Sequence, residues 1–205
     1  MSEGLLILVS APSGAGKTSL VAAALKADSQ LVVSVSHTTR PQRPGEEDAI
    51  NYHFVSHNEF DKMVGKGAFL EHALVFGNQY GTSAAAVSAL RQQGRDVVLE
   101  IDWQGAEQIM GKYPDALSIF ILPPDEATLR ERLTSRGQDS TDVIEHRLSE
   151  ARLEISQAPK YEFVIINDDF EQATDDLVAV IRAARLTAAR QIEGNPAVQA
   201  ILSGS

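Results

Sequence analysis

Short runs of consecutive apolar residues alternate along the chain with stretches in which apolar positions recur every three or four residues. The runs are nearly continuous instead of alternating apolar with polar, which is typical of strands covered on both faces. Parallel sheets with helices packed on both sides contain strands of this kind. The predicted strands are LLILVS at 5–10, LVVSVS at 31–36, VVLEID at 97–102, LSIFIL at 117–122 and EFVII at 162–166.

Helical periodicity fills the intervals between these strands and predicts helices there. One of them has Thr82 or Ser83 as its N-cap and Gly94 just past its end, and residues of these types are common at the two ends of helices. Gly194 and Pro196 are expected to end the last helix. The predicted helices are 17–27, 83–93, 104–112, 125–135, 141–157 and 174–192.

Two stretches interrupt this alternation. Residues 37–81 are rich in proline and glycine and carry short aromatic, strand-like pieces, which predicts a small insertion with its own sheet. Residues 124–158 contain two charged helical patterns bounded by prolines, which predicts a movable helical flap. The chain is therefore expected to be an α/β protein whose core is made by residues 1–36, 82–123 and 159–205.

Composition and charge exclude several classes of protein. With 43% hydrophobic and 22% charged residues among 205, the chain is not expected to be disordered. A net charge of −10 disfavours nonspecific nucleic-acid binding but is compatible with a local basic pocket for a small phosphorylated ligand. The absence of cysteine excludes disulfides, zinc–thiolate sites and thiol catalysis. The apolar run at 5–9 is too short for a membrane span, and Glu3 precedes it where a signal peptide has basic residues, so a cytoplasmic location is expected.

The segment APSGAGKT, which begins at Ala11, directly follows the first predicted strand and directly precedes the first predicted helix. This is the context of a phosphate-binding loop, although Ala11 stands where the pattern GxxxxGK[ST] has glycine. Gly14 and Gly16 allow the backbone to turn its N–H groups toward an anion at the start of the helix. Lys17 would then contact the β- and γ-phosphates, and Thr18 would supply a hydroxyl to Mg²⁺. A glycine-rich turn with an incidental Lys-Thr pair is the alternative.

Two carboxylates lie at the end of the predicted strand VVLEID. Glu100 and Asp102 are two residues apart, so in a strand they would share one face at its carboxyl end. In parallel sheets ligands bind at that end, and one or both carboxylates can organise Mg²⁺ and its waters opposite Thr18. Ordinary solvation of a strand end is the alternative. Together with the loop, the pair predicts a P-loop phosphotransferase or NTPase with a three-layer core.

Further motifs carry a more specific resemblance. They are SVSHTTRPQRPGE (34–46), NYHFV (51–55), FLEHA (69–73), GNQYGTS (77–83), LEIDWQG (99–105), ERLTSRGQD (131–139) and INDD (166–169). In this order and spacing the chain resembles the guanylate kinase family from about residue 4 to residue 190. The resemblance implies an ATP:GMP phosphotransferase of purine nucleotide metabolism that uses Mg²⁺. It also implies a P-loop core, a GMP-binding insertion at 37–81 and a lid at 124–158.

The resemblance also implies the roles of individual residues. The residues implied to hold the GMP phosphate are Arg40, Arg43, Tyr52 and Tyr80, and those implied around the guanine are Ser36, Glu71, Thr82 and Asp102. The residues implied to bind ATP are Ser13, Gly14, Ala15, Gly16, Lys17, Thr18, Ser19 and Asn167. The residues implied in catalysis are Lys17, Arg132, Arg136 and Arg147, and those implied at the metal are Thr18, Asp102 and Glu100. Glu100 stands where the family usually has Asp.

The chemistry of guanine agrees with this assignment. Guanine presents two adjacent N–H donors that one carboxylate, Glu71, can accept side by side, whereas adenine has an acceptor in the same place. Hydroxyls of Ser36 and Thr82 can donate to the guanine carbonyl. Two other functions remain open. One is a related P-loop kinase that acts on another phosphorylated acceptor, and the other is a non-catalytic, guanylate-kinase-like interaction module; the oligomeric state is not predicted.

Overall fold

The structure, a computed structural model, describes residues 3–75, 77–134 and 141–204. Its strands are β1 Leu6–Ser10, β2 Leu31–Val33, β3 His37–Thr38, β4 His53–Phe54, β5 Phe69–Val75, β6 Asn78–Ser83, β7 Asp96–Glu100, β8 Leu117–Leu122 and β9 Phe163–Ile166. Its helices are α1 Lys17–Ala27, α2 His57–Gly65, α3 Ala84–Gln92, α4 Trp103–Lys112, α5 Glu126–Thr134, α6 Thr141–Ile155, α7 Phe170–Arg185, α8 Ala188–Gly194 and α9 Pro196–Ser203. No helix in the described part of the chain is long and apolar enough to cross a membrane.

Five parallel strands form the central sheet in the order β2-β7-β1-β8-β9. Successive side chains of β1 point to opposite faces of this sheet. Ile7 packs in a buried cluster with residues of α1 and α7, and Leu8 packs in a second cluster with residues of α3 and α4. The sheet is therefore the middle layer of three. The α/β fold with a parallel sheet is confirmed, although β2 ends at Val33 and not at residue 36.

The insertion has a mixed four-stranded sheet of its own, in the order β4-β3-β6-β5. The rings of Phe60 from α2 and Phe69 from β5 stack on one another, with their centroids 4.6 Å apart. The aromatic pattern of this region does not predict α2, but the sequence does contain a start signal for it. The Ser56 hydroxyl accepts the Glu59 N–H at 3.2 Å, which is the first half of a capping box.

The insertion returns to the core without a loop, because β6 passes directly into α3. Ser83 is the last residue of β6, and its side chain also caps α3 by accepting the Ala86 N–H at 3.3 Å. Within the core, Val87 of α3 belongs to the same buried cluster as Val97 and Leu99 of β7. The strand of the insertion and the helix of the core therefore form one continuous unit that packs on the central sheet.

The segment predicted to form a lid, called the lid below, contains α5 and α6, whose apolar side chains pack against one another. The buried residues of this cluster are Leu129, Leu133, Ile144, Leu148 and Ala151. The cluster is separate from the two clusters of the core. The helices expected at 125–135 and 141–157 are confirmed, with slightly shorter bounds.

The last part of the chain corrects one prediction. The single helix expected over 174–192 is wrong, because α7 ends at Arg185 and two further helices follow. α7 also begins earlier than expected, where the Asp169 side chain accepts the Gln172 N–H at 2.8 Å. Pro196, expected to end a helix, is the first residue of α9, a position at which its missing N–H removes no helical hydrogen bond.

Candidate functional site

A cavity of about 340 Å³ lies between the phosphate loop, the insertion and the lid. It opens at the carboxyl ends of β1 and β7, the edge at which ligands bind in open parallel sheets. The predicted site residues that line it are Ser13, Gly14, Gly16, Lys17, Thr18, Ser19, Ser36, Arg43, Tyr52, Glu71, Tyr80, Glu100 and Asp102.

The phosphate loop needs both of its glycines. Gly14 and Gly16 each have φ of +92°, a left-handed conformation that favours glycine. A Cβ on Gly16 would also lie only 2.5 Å from Nδ2 of Asn167. That Nδ2 atom donates to the Ala15 carbonyl oxygen at 2.7 Å, so the residue that follows β9 holds the loop in place.

Lys17 extends from the start of α1 into the cavity. Its Nζ donates to the Ile101 carbonyl oxygen at 3.1 Å. Burial lowers the pKa of Lys17 from its ordinary value, and nearby carboxylates, Glu100 foremost, act in the opposite direction. The ammonium group is therefore held by the protein in a partly dehydrated position, where its interaction with phosphate is stronger than in water.

A hydroxyl and a carboxylate meet beside the loop. The Thr18 hydroxyl donates to Oε2 of Glu100 at 2.7 Å, which joins the first turn of α1 to the end of β7. Both are hard oxygen donors of the kind that Mg²⁺ uses. Glu100, though longer than the aspartate usual in the family, therefore reaches the loop hydroxyl.

The strand position expected for Asp102 is wrong. β7 ends at Glu100, and Asp102 is the N-cap of α4. Its Oδ1 accepts the Gly105 N–H at 2.9 Å and its Oδ2 accepts the Gln104 side-chain amide at 3.0 Å. Aspartate followed by a helical pattern is a strong capping signal, and here that local preference prevails over continuation of the strand. Asp102 nevertheless lines the cavity, so its predicted contacts stay predictions.

Glu71 is the most deeply buried carboxylate of the cavity, with 4% of its surface exposed. The Thr82 hydroxyl, itself fully buried, donates to its Oε1 at 2.5 Å. The two residues face each other because the pairing of β5 with β6 shifts between Phe69 and Glu71, a β-bulge that leaves Leu70 unpaired. Burial raises the pKa of Glu71 to about 7.

The predicted phosphate-binding side chains of the insertion form an aromatic and basic group. The rings of Tyr52 and Tyr80 meet edge to face at 5.9 Å, and the Arg40 guanidinium lies 5.4 Å from the centre of the Tyr52 ring. Glu46, which the sequence patterns do not single out, accepts a hydrogen bond from the Arg40 side chain at 2.7 Å and one from the Arg43 N–H at 2.8 Å. Glu46 therefore shapes the loop that presents both arginines.

The lid arginines lie apart from this group. Arg132 donates to the Asn167 carbonyl oxygen at 3.0 Å, next to the phosphate loop. Arg147 is half-buried on α6. The lining of the cavity, as far as the described residues form it, includes neither side chain. Arg136 lies outside the described residues, so its predicted role stays a prediction.

Glu154 of α6 is a further residue of the cavity that the sequence patterns do not predict. Its Oε2 accepts the Ser13 N–H of the phosphate loop at 3.1 Å. Burial raises the pKa of Glu154 to about 7. The available signal was its spacing from Arg147, since residues seven apart share one helix face. A carboxylate of the lid thus contacts the loop directly.

The buried carboxyl of Glu71 predicts a pH-dependent stability. Between its ordinary pKa of 4.5 and about 7, the folded protein keeps a proton that the unfolded chain has released, so the free energy of unfolding falls as pH rises through this range. We expect Glu71→Gln to raise the free energy of unfolding at pH 8 by about 2 kcal/mol, and Tm by about 5 °C. At pH 4, below both pKa values, the two proteins are expected to have the same Tm in thermal unfolding. A Glu71→Gln protein less stable than wild type at pH 8 would contradict this.

Fold and site together define a class of protein. A phosphate loop with Lys17 and Thr18 shares one cavity with Glu71 and Tyr80 of the insertion and with Glu154 of α6, and this arrangement is that of a P-loop kinase for small phosphorylated acceptors. The chain belongs to the guanylate kinase family. The family model described as guanylate kinase matches residues 3–184.

Individual relatives agree with the family model. The chain is 54% identical to the guanylate kinase of Thiobacillus denitrificans, over 96% of this chain and 94% of that protein. It is 56% identical to the guanylate kinase of Alkalilimnicola ehrlichii, over 92% of this chain and 93% of that protein. A crystal structure of guanylate kinase from Anaplasma phagocytophilum superposes with a TM-score of 0.79 at 33% identity, covering 98% of this chain and 96% of that one. The resemblance drawn from the sequence, and the guanylate kinase function that it implied, are confirmed.

Proposed function

We propose that the cavity between core, insertion and lid is where this guanylate kinase transfers the γ-phosphoryl group of ATP to GMP. One observation gives the strongest support for this assignment of the cavity. Glu71, a buried carboxylate suited to guanine, opens into the same cavity as Lys17 of the phosphate loop. Residues 37–81 would bind GMP, residues 124–158 would close over it, and residues 1–36, 82–123 and 159–205 would hold ATP. The cytoplasmic location stays a prediction.

Glu71 would select the base of the acceptor. Two adjacent N–H donors of guanine bind the ionised carboxylate and so stabilise its charge, which burial otherwise disfavours. The Thr82 hydroxyl already holds one carboxylate oxygen and fixes the plane of the group. Adenine would place an acceptor against the same carboxylate and leave a buried charge unpaired, a mismatch that can cost about 10⁴-fold in discrimination. Ser36 lines the same cavity and would donate to the guanine carbonyl, and Asp102 would face the amino group.

Arginine and tyrosine side chains of the insertion would hold the phosphate of GMP. Arg43, Tyr52 and Tyr80 line the cavity, and Arg40 lies behind Tyr52 in contact with Glu46. Guanidinium groups bind phosphate oxygens in pairs of hydrogen bonds, and tyrosine hydroxyls complete the shell. When the GMP phosphate binds, Arg40 would either break its hydrogen bond to Glu46 or keep it while also donating to the phosphate.

The transfer itself requires no general base, because the acceptor is already an anionic phosphate oxygen. Positioning and charge stabilisation therefore account for the rate. Lys17, together with the backbone N–H groups of residues 13–19, would hold the transferring phosphates. Arg132, Arg136 and Arg147 of the lid would stabilise the charge in the transition state once the lid closes and excludes water.

The residues beside the phosphate loop fit Mg²⁺. The Thr18 hydroxyl and the Glu100 carboxylate are hydrogen-bonded to one another, and Asp102 lines the same cavity. Among the described residues no group of three His, Asp or Glu could hold a metal by itself. That fits a magnesium site completed by nucleotide phosphates and water. Bound Mg²⁺ would neutralise charge on the β- and γ-phosphate oxygens.

A panel of acceptors tests this proposal. We expect ADP and GDP to form from ATP and GMP in the presence of Mg²⁺, with AMP, UMP and CMP turned over at least about 10³-fold less efficiently. Chelation by EDTA is expected to abolish turnover, and added Mg²⁺ to restore it. Equal kcat/KM for GMP and AMP would refute the role of the insertion, and turnover insensitive to EDTA would refute the metal assignment.

A further inference from the structure

One face of α4 contacts β5 at three consecutive residues, and the middle one is Glu71. Gly105, Gln108 and Lys112 are spaced by three and four positions, so they form a single stripe along the helix. Lys112 donates to the carbonyl oxygen of Leu70 at 3.3 Å. The stripe therefore faces the segment that carries the base-reading carboxylate, although it belongs to the core and not to the insertion.

Gln108 binds the backbone of β5 at two points. Its Nε2 donates to the His72 carbonyl oxygen at 2.8 Å, and its Oε1 accepts the His72 N–H at 3.3 Å. β5 is the edge strand of the insertion sheet, so these backbone groups face away from β6. The side-chain amide takes the place that a neighbouring strand would occupy. These two hydrogen bonds hold the backbone N–H and carbonyl of His72, the residue next to Glu71, in place.

Gly105 provides the space in which the carboxylate lies. A Cβ at this position would be 2.4 Å from Oε2 of Glu71 and 3.0 Å from its carboxyl carbon. Gly105 lies in the first turn of a regular helix and has no positive φ, so its backbone does not demand glycine. At Gly111 of the same helix, a Cβ would meet no described atom within 4 Å. The absence of a side chain at position 105 therefore leaves free the space that the Glu71 carboxylate occupies.

The bulge in β5 explains why these contacts lie where they do. Leu70 is the extra residue, and it is the one whose carbonyl oxygen accepts from Lys112. Without the bulge Leu70, and not Glu71, would face Thr82. The contacts of α4 on either side of Glu71 therefore hold the register that directs the carboxylate into the cavity.

We propose that Gly105 and Gln108 are positioning residues for acceptor selection, which hold the Glu71 carboxylate in the place where it reads the guanine edge. This rests on the proposed role of Glu71 in binding the base. Neither residue is among those that line the cavity in the described part of the chain, so both act through Glu71. The substrate affected is the acceptor nucleotide and not ATP.

Gly105→Ala is the first test, with Gly111→Ala as its matched control. Since a misplacement of about 1 Å can cost about 10²-fold, we expect kcat/KM for GMP to fall by about 10²-fold, mainly through KM. The KM for ATP is expected to stay within about twofold of wild type, and Gly111→Ala to leave both constants unchanged. Equal losses for GMP and ATP, or equal behaviour of the two alanine variants, would overturn the proposal.

A second substitution separates a specific clash from general damage. Glu71→Asp shortens the side chain by one methylene and so leaves room for a Cβ at position 105. In the double variant the two losses in kcat/KM for GMP are expected to combine to less than their product, because both act on one contact. Multiplicative losses would show that Gly105 acts elsewhere and would overturn its assignment.

Gln108→Ala is the test that does not depend on Gly105→Ala folding. We expect about a tenfold rise in the KM for GMP, with kcat and the KM for ATP unchanged. The Glu71 carboxylate keeps its charge in this variant, but the backbone beside it is no longer held in position. Gln92→Ala, an exposed glutamine of α3, is the control. An unchanged KM for GMP in Gln108→Ala would overturn the proposal. Glu71→Gln distinguishes this proposal from the one on which it rests. If that variant leaves the ratio of GMP to AMP turnover unchanged, the proposed role of Glu71 is itself wrong. If it changes the ratio and Gln108→Ala has no effect, only the positioning role is wrong.

Discussion

Replacing Lys17 with methionine is expected to lower kcat by about 10³-fold with GMP and ATP both saturating. Methionine preserves most of the length of the side chain, so the substitution removes the charge and the hydrogen bond to the Ile101 carbonyl and little else. The ammonium group is held in a partly dehydrated place, where charge stabilisation is most effective, and no solvent reorganisation is needed during transfer. Rapid-quench measurement of a single turnover would report the chemical step directly.

Lys26→Met serves as the matched control for this variant. Lys26 is exposed in the last turn of the same helix, α1, and the substitution there should leave kcat within about twofold of wild type. A circular dichroism spectrum and Tm close to wild type would establish that the Lys17 variant is folded. A folded Lys17→Met protein with kcat within tenfold of wild type would contradict the proposed role of the phosphate loop.

Replacing Glu71 with glutamine is expected to change the ratio of kcat/KM for GMP to that for AMP by about 10³-fold. Glutamine has one acceptor and one donor where glutamate has two acceptors, so it loses one hydrogen bond to guanine. The glutamine N–H can donate to the N1 acceptor of adenine, which the carboxylate would repel, so turnover of AMP should rise while that of GMP falls. Steady-state kinetics with both acceptors at saturating ATP would measure the ratio.

Two comparisons make this result interpretable. Glu59→Gln, at an exposed position of α2 in the same insertion, should leave the ratio of the two acceptors unchanged. The higher Tm expected for Glu71→Gln at pH 8 separates a loss of selectivity from a loss of folding, since the variant should be more stable and less selective at once. An unaltered ratio would mean that the base lies elsewhere.

Local patterns in the sequence were sufficient to predict the central sheet and the phosphate loop, but not the helices at the end of the chain. The strands β1 and β8 follow from nearly continuous apolar runs, and the phosphate loop follows from a short motif between a strand and a helix. Errors arose where two local preferences competed. Asp102 suited both the end of a strand and the cap of a helix, and Pro196 suited both the end of one helix and the start of another.

Two of the residues that the sequence did not reveal act across large separations along the chain. Glu154 contacts Ser13 from the lid, and Gly105 makes space for a side chain of the insertion. Nothing in the residues next to either position specifies the partner, because the contact exists only after the insertion and lid have packed against the core. Glu46 is nearer to its partners, but an acidic residue in a proline-rich loop has no distinctive pattern.

The direct passage of β6 into α3 connects the proposed GMP site of the insertion to the core that would hold ATP. Thr82, beside the proposed base pocket, is followed by Ser83 at the junction, and Val87 of α3 packs with β7, which ends at Glu100 next to Thr18. No loop separates β6 from α3 at this crossing, and the Ser83 side chain ties the end of the strand to the first turn of the helix. The other crossing, at residues 34–36, has no regular secondary structure, so we expect any change in the angle between the insertion and the core to be taken up there and not at α3.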